Sequence, residues 1–279
     1  LPGLLKAMGG AREMWIFNRS TIDAGNNPVF QGLIRDEVHS VTLTGAPAAL
    51  TVPNADDIIS RHGWLAKTRL GETNGFHLFA PSTINNQLTG IENHVLPANR
   101  GASIFVAFYL PVTAVPPAVG PGNQKLFFSK WNEDTVNQRA WTIEWYNTAG
   151  ATRFRVALSV DGAAVQTFTA TTFDFVPGNS YCVGFSFIAG ISVTLFFNDQ
   201  FETRVLDDLG AAVPASIFAS TANICVARRD TTAAGTILAS PDAQYFFAGL
   251  ASLRWSSSVG LALYRFVQPV LLYNTNLSG

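Results

Sequence analysis

Acidic side chains are the first groups in this sequence that could do chemistry, because two facing carboxylates about 5–10 Å apart can hydrolyse a glycosidic bond. Glu144 is the only carboxylate between Trp141 and Tyr146, a segment whose alternating pattern predicts a strand. Glu133 and Asp134 are adjacent in the sequence, so we expect their side chains to point apart. The paired geometry is missing, and we therefore expect a protein that is not an enzyme.

The sequence also lacks the residue groupings that are typical of nucleophilic catalysis and of zinc binding. All four histidines lie before residue 95, ahead of the regular strand pattern, and no Gly-x-Ser-x-Gly turn occurs. The two cysteines, Cys182 and Cys225, have no partner at zinc-ligand spacing. Each lies in an apolar run, which favours two buried free thiols, with a cross-strand disulfide as the alternative.

Calcium is the one cofactor that the sequence leaves open, because it binds loop carboxylates and carbonyls. Asp134 follows Asn132 and Glu133 in a predicted loop, and Asp207 is adjacent to Asp208. Asp134, Asp207 and Asp208 are therefore the metal candidates. The alternative is that they are solvated loop charges, since no series of ligands occurs at regular spacing; we expect no cofactor.

Glycan binding without chemistry needs an exposed aromatic ring to stack on the sugar and nearby amides or carboxylates for its hydroxyls. The loop after Trp131 is the best match, and Tyr146 with Asn147 is a second. The glycan-contact candidates are Trp131, Asn132, Glu133, Asn137 and Tyr146. Trp141 and Trp145 alternate with Ile143 and are expected in the core, and Trp131 has the alternative role of closing one end of the fold.

Composition and charge narrow the class of protein. Charged residues make up 13% of the 279 residues, about half the usual share, and there are 21 phenylalanines. This balance fits an extracellular or assembly-embedded protein whose surface is partly covered by neighbours. The net charge of −1 leaves no basic field for nucleic acid, and no apolar run reaches the roughly 20 residues of a membrane span. Because the chain opens at Leu1 without methionine, we expect a trimmed or processed form.

Alternating hydrophobicity and regular turn signals predict an all-β fold, a two-sheet antiparallel jelly-roll sandwich over residues 85–279. In the segment 153–160 one predicted face is apolar, made of Phe154, Val156, Leu158 and Val160. Four turn signals separate the later strands, at Asp161-Gly162, Pro177-Gly178-Asn179, Ala189-Gly190 and Asn198-Asp199.

Residues 1–84 lack the regular strand and turn pattern of the rest of the chain, and they are predicted to form an irregular N-terminal extension with a short helix. Strand-like pieces occur at Glu13–Phe17 and Ser40–Leu43, and Asn54 and Gly63 can begin and end the helix. The opening Leu1–Leu5 is apolar, which indicates an arm that needs a partner surface, or else a frayed terminus. Residues 267–273, apolar around Pro269, could dock on the same neighbour.

The order of the pieces between residues 101 and 266 resembles the laminin-G-like, concanavalin-A-like lectin and glucanase superfamily. Six short segments carry the resemblance: Ser103-Ile-Phe-Val-Ala-Phe108, Leu126-Phe-Phe-Ser-Lys-Trp131, Trp141-Thr-Ile143 with Arg153–Gly162, Pro177–Gly184, Val193–Gln200 and Phe246–Arg254. The sequence departs from the pattern at Asn198-Asp199-Gln200, which lacks the turn glycine, at Cys182, and in lacking the Glu-x-Asp-x-Glu string of the glucanase branch. The resemblance implies a jelly-roll sandwich used for glycan binding, adhesion, display or, in one branch, glycoside hydrolysis.

Together these observations predict a non-enzymatic structural or attachment component of an extracellular assembly. The setting we expect is a virion surface, as a phage-type decoration, tail or fibre protein. Its expected partners are other copies or neighbouring subunits, reached through the N-terminal arm, and a glycan; neither nucleic acid nor a membrane span is expected. The alternative is a secreted carbohydrate-binding module, and behind it a glycoside hydrolase with an unfamiliar pair of carboxylates.

Overall fold

The structure, a computed structural model, describes residues 11–16, 21–22, 28–32, 36–44, 77–80, 101–132, 138–222, 224–226, 241, 243–251 and 254–275. In these ranges the chain forms fifteen strands and one helix. They are β1 (Ala11–Ile16), β2 (Thr21–Ile22), β3 (Pro28–Gly32), β4 (Asp36–Thr44), β5 (His77–Ala80), β6 (Gly101–Leu110), β7 (Lys125–Asn132), β8 (Gln138–Thr148), β9 (Ala151–Ser159), β10 (Val165–Thr169), β11 (Asn179–Ile188), β12 (Ser192–Phe197), β13 (Gln200–Arg204), β14 (Ile224–Val226), β15 (Gln244–Ala251) and α1 (Ser257–Thr275).

The strands form one antiparallel path that folds over itself into two layers. The order along the path is β10-β9-β8-β7-β14-β5-β4-β3-β1-β15-β6-β11-β12-β13, with β2 paired to β3. We call β10 to β5 the front layer, and β1, β15, β6, β11, β12 and β13 the back layer. Their rings meet in a shared core: Phe108 of β6 stacks on Phe127 of β7 with centroids 4.0 Å apart, and Phe154 of β9 lies 6.0 Å from Phe197 of β12. The predicted all-β, two-sheet antiparallel sandwich is confirmed.

Side-chain alternation along β9 decides which groups the core receives. Three of the four apolar side chains predicted on its inner face are fully buried: Phe154, Val156 and Leu158. The prediction for Val160 is wrong, because β9 ends at Ser159 and Val160 is 41% exposed in the turn that follows. The Asp161 carboxylate fixes this turn by accepting the backbone N–H groups two and three residues further on.

The N-terminal extension contributes strands to the same sheet as the rest of the chain. The predicted pieces at Glu13–Phe17 and Ser40–Leu43 fall within β1 and β4, and β1 pairs with β15 while β5 pairs with β14. Trp15 of β1 is completely buried in the shared core. Strands on both sides of residue 84 are therefore hydrogen-bonded neighbours, while a division of the chain into two folding units at that residue stays a prediction. The predicted helix at 54–63 and the arm at 1–5 lie outside the described residues.

Helix α1 covers the outer face of the back layer, and the sequence analysis did not predict it. It begins after Ser256, whose carbonyl accepts the N–H groups of Val259 and Gly260. A β-carbon on Gly260 would lie 2.6 Å from the Phe196 ring, so the glycine lets the helix approach the sheet closely. Leu263 packs in a second apolar cluster on the outer face of the back layer. Among the helical residues that the structure describes, no segment combines the length and hydrophobicity needed to cross a bilayer.

Both cysteines are buried thiols and they form no disulfide, so the predicted buried thiols are confirmed and the disulfide alternative is wrong. Cys182 lies on β11 in the cluster beneath α1, whereas Cys225 lies on β14 of the front layer. Burial raises the pKa of the Cys182 thiol from 9.0 to about 12. A thiol with that pKa stays protonated at neutral pH, so Cys182 has the properties of a packing residue and not of a nucleophile.

Candidate functional site

The outer face of β8 and β9 carries a group of charged and aromatic side chains. The strand register places Glu144 opposite Arg155, and Tyr146 opposite Arg153. All four point away from the shared core, because Trp145 and Phe154, their neighbours in sequence, point into it. The sequence indicated both alternating faces, but only the pairing of β8 with β9 brings the two arginines beside the acidic and aromatic residues.

Glu144 is the centre of this group. Its Oε1 accepts a hydrogen bond from Thr142 Oγ1 at 2.5 Å, and its Oε2 accepts one from Nε of Arg155 at 2.7 Å and lies 2.6 Å from Nη2 of the same guanidinium. The carboxylate is 2% exposed, so this is a buried, charge-assisted pair. Both carboxylate oxygens are therefore engaged with protein donors, in a side chain that is almost completely covered.

Tyr146 lies at the exposed side of the Glu144–Arg155 pair. The guanidinium carbon of Arg155 is 3.5 Å from the centroid of the Tyr146 ring, which is the separation of a stacked guanidinium and aromatic ring. Tyr146 is half-buried. One face of its ring is covered by a side chain that Glu144 holds in place, so the ring is oriented before any ligand arrives.

Polar groups near Tyr146 are also fixed by hydrogen bonds. Asn147 donates from Nδ2 to the carbonyl of Pro117 at 2.8 Å, which ties the Pro/Gly-rich loop between β6 and β7 to the end of β8. On β9, Nη1 of Arg153 lies 3.9 Å from the Asp174 carboxylate, and that carboxylate also accepts a hydrogen bond from Thr152. Arg153, the cross-strand neighbour of Tyr146, is thus held near the Asp174 carboxylate.

The other predicted glycan contacts lie at the far end of β8. Trp131 and Asn132 pair with the beginning of β8, whereas Tyr146 lies just beyond Trp145, which pairs with Lys125. Six residues of strand separate the two places, or roughly 20 Å. Trp131 is 4% exposed, with the Arg139 guanidinium 5.8 Å from its ring centroid.

The burial of the tryptophan side chains shows which of them belong to the core. Trp141 and Trp145 are core residues, as predicted. Trp131 is equally covered, which agrees with the alternative that it closes one end of the sandwich. Glu133, Asp134 and Asn137 lie outside the described residues, and glycan contact by the 131–137 loop stays a prediction.

The candidate metal ligands Asp207 and Asp208 hold a turn together. Asp207 accepts the backbone N–H groups of Leu209 and Ala211 at 2.9 and 2.7 Å. Asp208 accepts the N–H and hydroxyl of Thr169 at 2.9 and 2.7 Å. No three His, Cys, Asp or Glu side chains come together as a possible metal site in the described ranges. A metal at Asp134, Asp207 or Asp208 remains a prediction.

The comparisons with known proteins show similarity of fold. No protein-family model matches this chain, and no curated protein matches its sequence. Among solved structures, the binding domain of botulinum neurotoxin serotype G aligns over 92% of this chain and 51% of that chain, at 11% identity and a TM-score of 0.51. The binding domain of botulinum neurotoxin DC, in complex with rat synaptotagmin II, aligns over 92% and 52%, at 9% identity and a TM-score of 0.58.

A third similar structure concerns botulinum neurotoxin type C, whose cell entry is described as dependent on interaction with two ganglioside molecules. It aligns over 92% of this chain and 52% of that chain, at 10% identity and a TM-score of 0.51. The chain therefore spans about half the length of these neurotoxin structures. At such low identity the likeness shows a shared sandwich fold and nothing about individual residues.

Proposed function

We propose that this chain is a non-enzymatic binding module that attaches to a glycan through Tyr146, and that it serves as an attachment component of an extracellular assembly. The observation that carries the proposal is the stacking of Tyr146 on Arg155, which is itself held by Glu144. A ring fixed in this way loses little conformational freedom when a sugar stacks on its open face. Arg153, which pairs with Tyr146 across the two strands, is the polar group placed to hydrogen-bond sugar hydroxyls.

The similar solved structures support a binding role of this kind, because they are binding domains and one is linked to gangliosides. The setting we propose is a virion surface, with the chain as a decoration, tail or fibre component anchored to neighbouring subunits through its N-terminal arm. The low charge content and the abundance of phenylalanine support an assembly-embedded protein. A secreted carbohydrate-binding module is the second candidate, and it would use the same Tyr146 surface.

A glycan array that includes ganglioside headgroups, probed with the full chain, tests the proposal. We expect binding to at least one glycan, and titration calorimetry with that glycan should show at least a tenfold loss of affinity for Tyr146→Ala. Tyr146→Phe keeps the ring and should retain most of the affinity. The matched control is Phe201→Ala, which removes a 55% exposed ring on β13 and should leave binding unchanged.

Two outcomes would overturn the glycan assignment. One is a wild-type chain that binds no glycan on the array. The other is a Tyr146→Ala variant that binds as tightly as wild type, which would move the site elsewhere on the molecule.

A further inference from the structure

A set of exposed aliphatic side chains, which the proposed glycan site does not use, lies at one end of the sandwich and along the adjoining edge of β10. They lie at the two ends of the turn between β9 and β10, in the turn between β11 and β12, and in the segment after β13. We call this set the apolar rim; its members are Val160, Val165, Ile191, Val205, Leu206 and Leu209. Their exposed fractions run from 37% for Val165 to 91% for Leu209. Exposed aliphatic side chains in one region of a surface indicate a contact with another molecule.

Hydrogen bonds join the turns of the rim into one unit. Nε2 of Gln166, at the start of β10, donates to the carbonyl of Ala212 at 2.9 Å. The N–H of Gly190, in the β11–β12 turn, donates to the carbonyl of Pro214 at 2.8 Å. The segment after β13 is thereby fixed to both layers, and a partner would meet a preformed surface.

The loop at residues 207–211 is suited to a dry interface. Its five consecutive backbone N–H groups all have acceptors inside the protein: Asp207 and Gly210 bond to backbone carbonyls of the loop, Asp208 to the carbonyl of Thr167, and Leu209 and Ala211 to the Asp207 carboxylate. Backbone donors that are already satisfied can leave water without an energetic penalty. Covering Leu209 therefore removes apolar surface from water and leaves no orphaned donor behind.

The charges of this loop do not oppose close approach of a like surface. The Asp207 carboxylate is buried within the turn, and Asp208 is bonded to Thr169 and lies 3.5 Å from Nη2 of Arg204. The negative charges are thus turned inward or paired, while the leucines point outward. The exposed carboxylate of Asp161, directly after Val160, is the remaining negative charge of the rim, and it accepts the N–H groups of Ala163 and Ala164. Repulsion between two copies is therefore limited mainly to this carboxylate.

We propose that the apolar rim is the contact between two copies of this chain, arranged about a two-fold axis. The six side chains together expose on the order of 500 Å² of apolar surface, the upper range for the largest patch on a monomer. A standard interface buries about 800 Å² per partner, of which roughly 60% is apolar, so the rim supplies the apolar part of one such interface. A self-complementary patch is what a two-fold contact requires.

The composition of the rim favours a protein partner over a lipid surface. Membrane-contact surfaces combine apolar side chains with Trp or Tyr at the headgroup level and with clustered Lys or Arg. The rim consists of three valines, one isoleucine and two leucines. Val160 follows the end of β9 that is distant from Arg153, whereas the loop that carries Leu209 runs along the edge of β10, where Asp208 bonds to Thr169, the cross-strand neighbour of Arg155.

Light scattering coupled to size-exclusion chromatography, over a series of concentrations of the full chain, tests the contact. We expect a mass of twice the 30.0 kDa of the single chain, and dissociation on dilution. The double variant Leu206→Asp with Leu209→Asp should raise the dimer dissociation constant at least tenfold and elute as a monomer. The matched control is Val112→Asp with Val115→Asp, two exposed valines at the other end of the sandwich, which should remain dimeric. Thermal melting confirms that each variant is folded.

Three results would overturn this proposal: a wild-type chain that stays monomeric at all concentrations, a Leu206→Asp/Leu209→Asp variant that remains dimeric, or a control pair that dissociates equally. Flotation with phosphatidylcholine vesicles gives a further reading. If the wild-type chain is monomeric and floats with the vesicles, and the Leu206→Asp/Leu209→Asp variant does not float, the rim contacts lipid and not a second copy. The glycan array reads the Tyr146 surface separately, so failure of one proposal is distinguishable from failure of the other.

Discussion

Arg155 of β9 lies between two residues of β8: its guanidinium carbon is 3.5 Å from the centroid of the Tyr146 ring, and its Nε donates to Glu144 at 2.7 Å. One side chain therefore connects a buried carboxylate to a half-buried aromatic ring. Such a connection couples the stability of the sandwich to the shape of its proposed binding surface.

Replacing Glu144 by glutamine should lower the free energy of unfolding by about 3 kcal/mol, because it leaves the Arg155 cation buried without its counter-charge. Urea unfolding of the full chain measures this change. The double variant Glu144→Gln with Arg155→Met removes both charges and should recover much of the loss. Equal stability of Glu144→Gln and wild type would show that the pair is solvated in solution.

The Glu144→Gln variant also tests whether the protein is an enzyme. We expect the wild-type chain to release no reducing ends from polysaccharides, since the Glu144 carboxylate is 2% exposed and is covered from a substrate. Hydrolysis by the wild type that disappears in Glu144→Gln would contradict the non-enzymatic assignment.

Alkaline pH should destabilise the protein through Cys182. Burial raises the pKa of this thiol from 9.0 to about 12, so the folded state holds the proton more tightly than the unfolded state. The protonated thiol makes its full contribution to the free energy of unfolding below pH 9. This contribution is lost as the pH rises toward 12, at up to about 1.4 kcal/mol per pH unit. Unfolding measured from pH 7 to 11 should show this slope, and Cys182→Ala should reduce it.

Part of the slope should persist in the Cys182→Ala variant. Burial also raises the pKa of the phenols of Tyr181 and Tyr264, and these groups act in the same direction. Parallel pH profiles for wild type and Cys182→Ala would show that the thiol titrates normally in the folded protein.

Asn198 should tolerate glycine better than alanine. Its φ of 57° is left-handed, its Oδ1 accepts the backbone N–H of Cys182 at 2.8 Å, and its own N–H donates to the Cys182 carbonyl at 2.8 Å. Asn198→Ala loses the acceptor and also the side-chain amide whose local hydrogen bonding lets asparagine adopt this conformation, together about 2 kcal/mol. Asn198→Gly loses only the acceptor, about 1 kcal/mol. Thermal unfolding should rank wild type above glycine and glycine above alanine, and the reverse order of the two variants would refute this explanation.

The sequence was most informative where local rules suffice. Period-two alternation in 153–160 identified the core side chains of β9, and it failed only at Val160, where the turn set by Asp161 ended the strand one residue earlier. The Asn198-Asp199 turn was predicted without a glycine because asparagine adopts left-handed backbone conformations, as it does here. Helix α1 was not predicted, because the apolar residues 267–273 were interpreted as a segment that docks on a neighbouring molecule.

The candidate site shows the limit of such reasoning. Tyr146 was identified as an aromatic residue at a strand end, but its stacking on Arg155 depends on the register between two strands, which the sequence of either strand alone does not specify. Trp131 looked equally suitable by type and spacing, and only packing showed that its ring is covered. Exposure is a property of the assembled molecule.

By itself the sequence determined that this chain builds an antiparallel β-sandwich, because alternation and turn chemistry are local properties that each segment carries on its own. Only the tertiary structure decided that Glu144 is bound to Arg155, that Cys182 lies under a helix, and that six aliphatic side chains stay exposed around β10 and the neighbouring turns. These outcomes depend on which distant segments pack together, and that is decided by the balance of burial and hydrogen bonding over the whole chain.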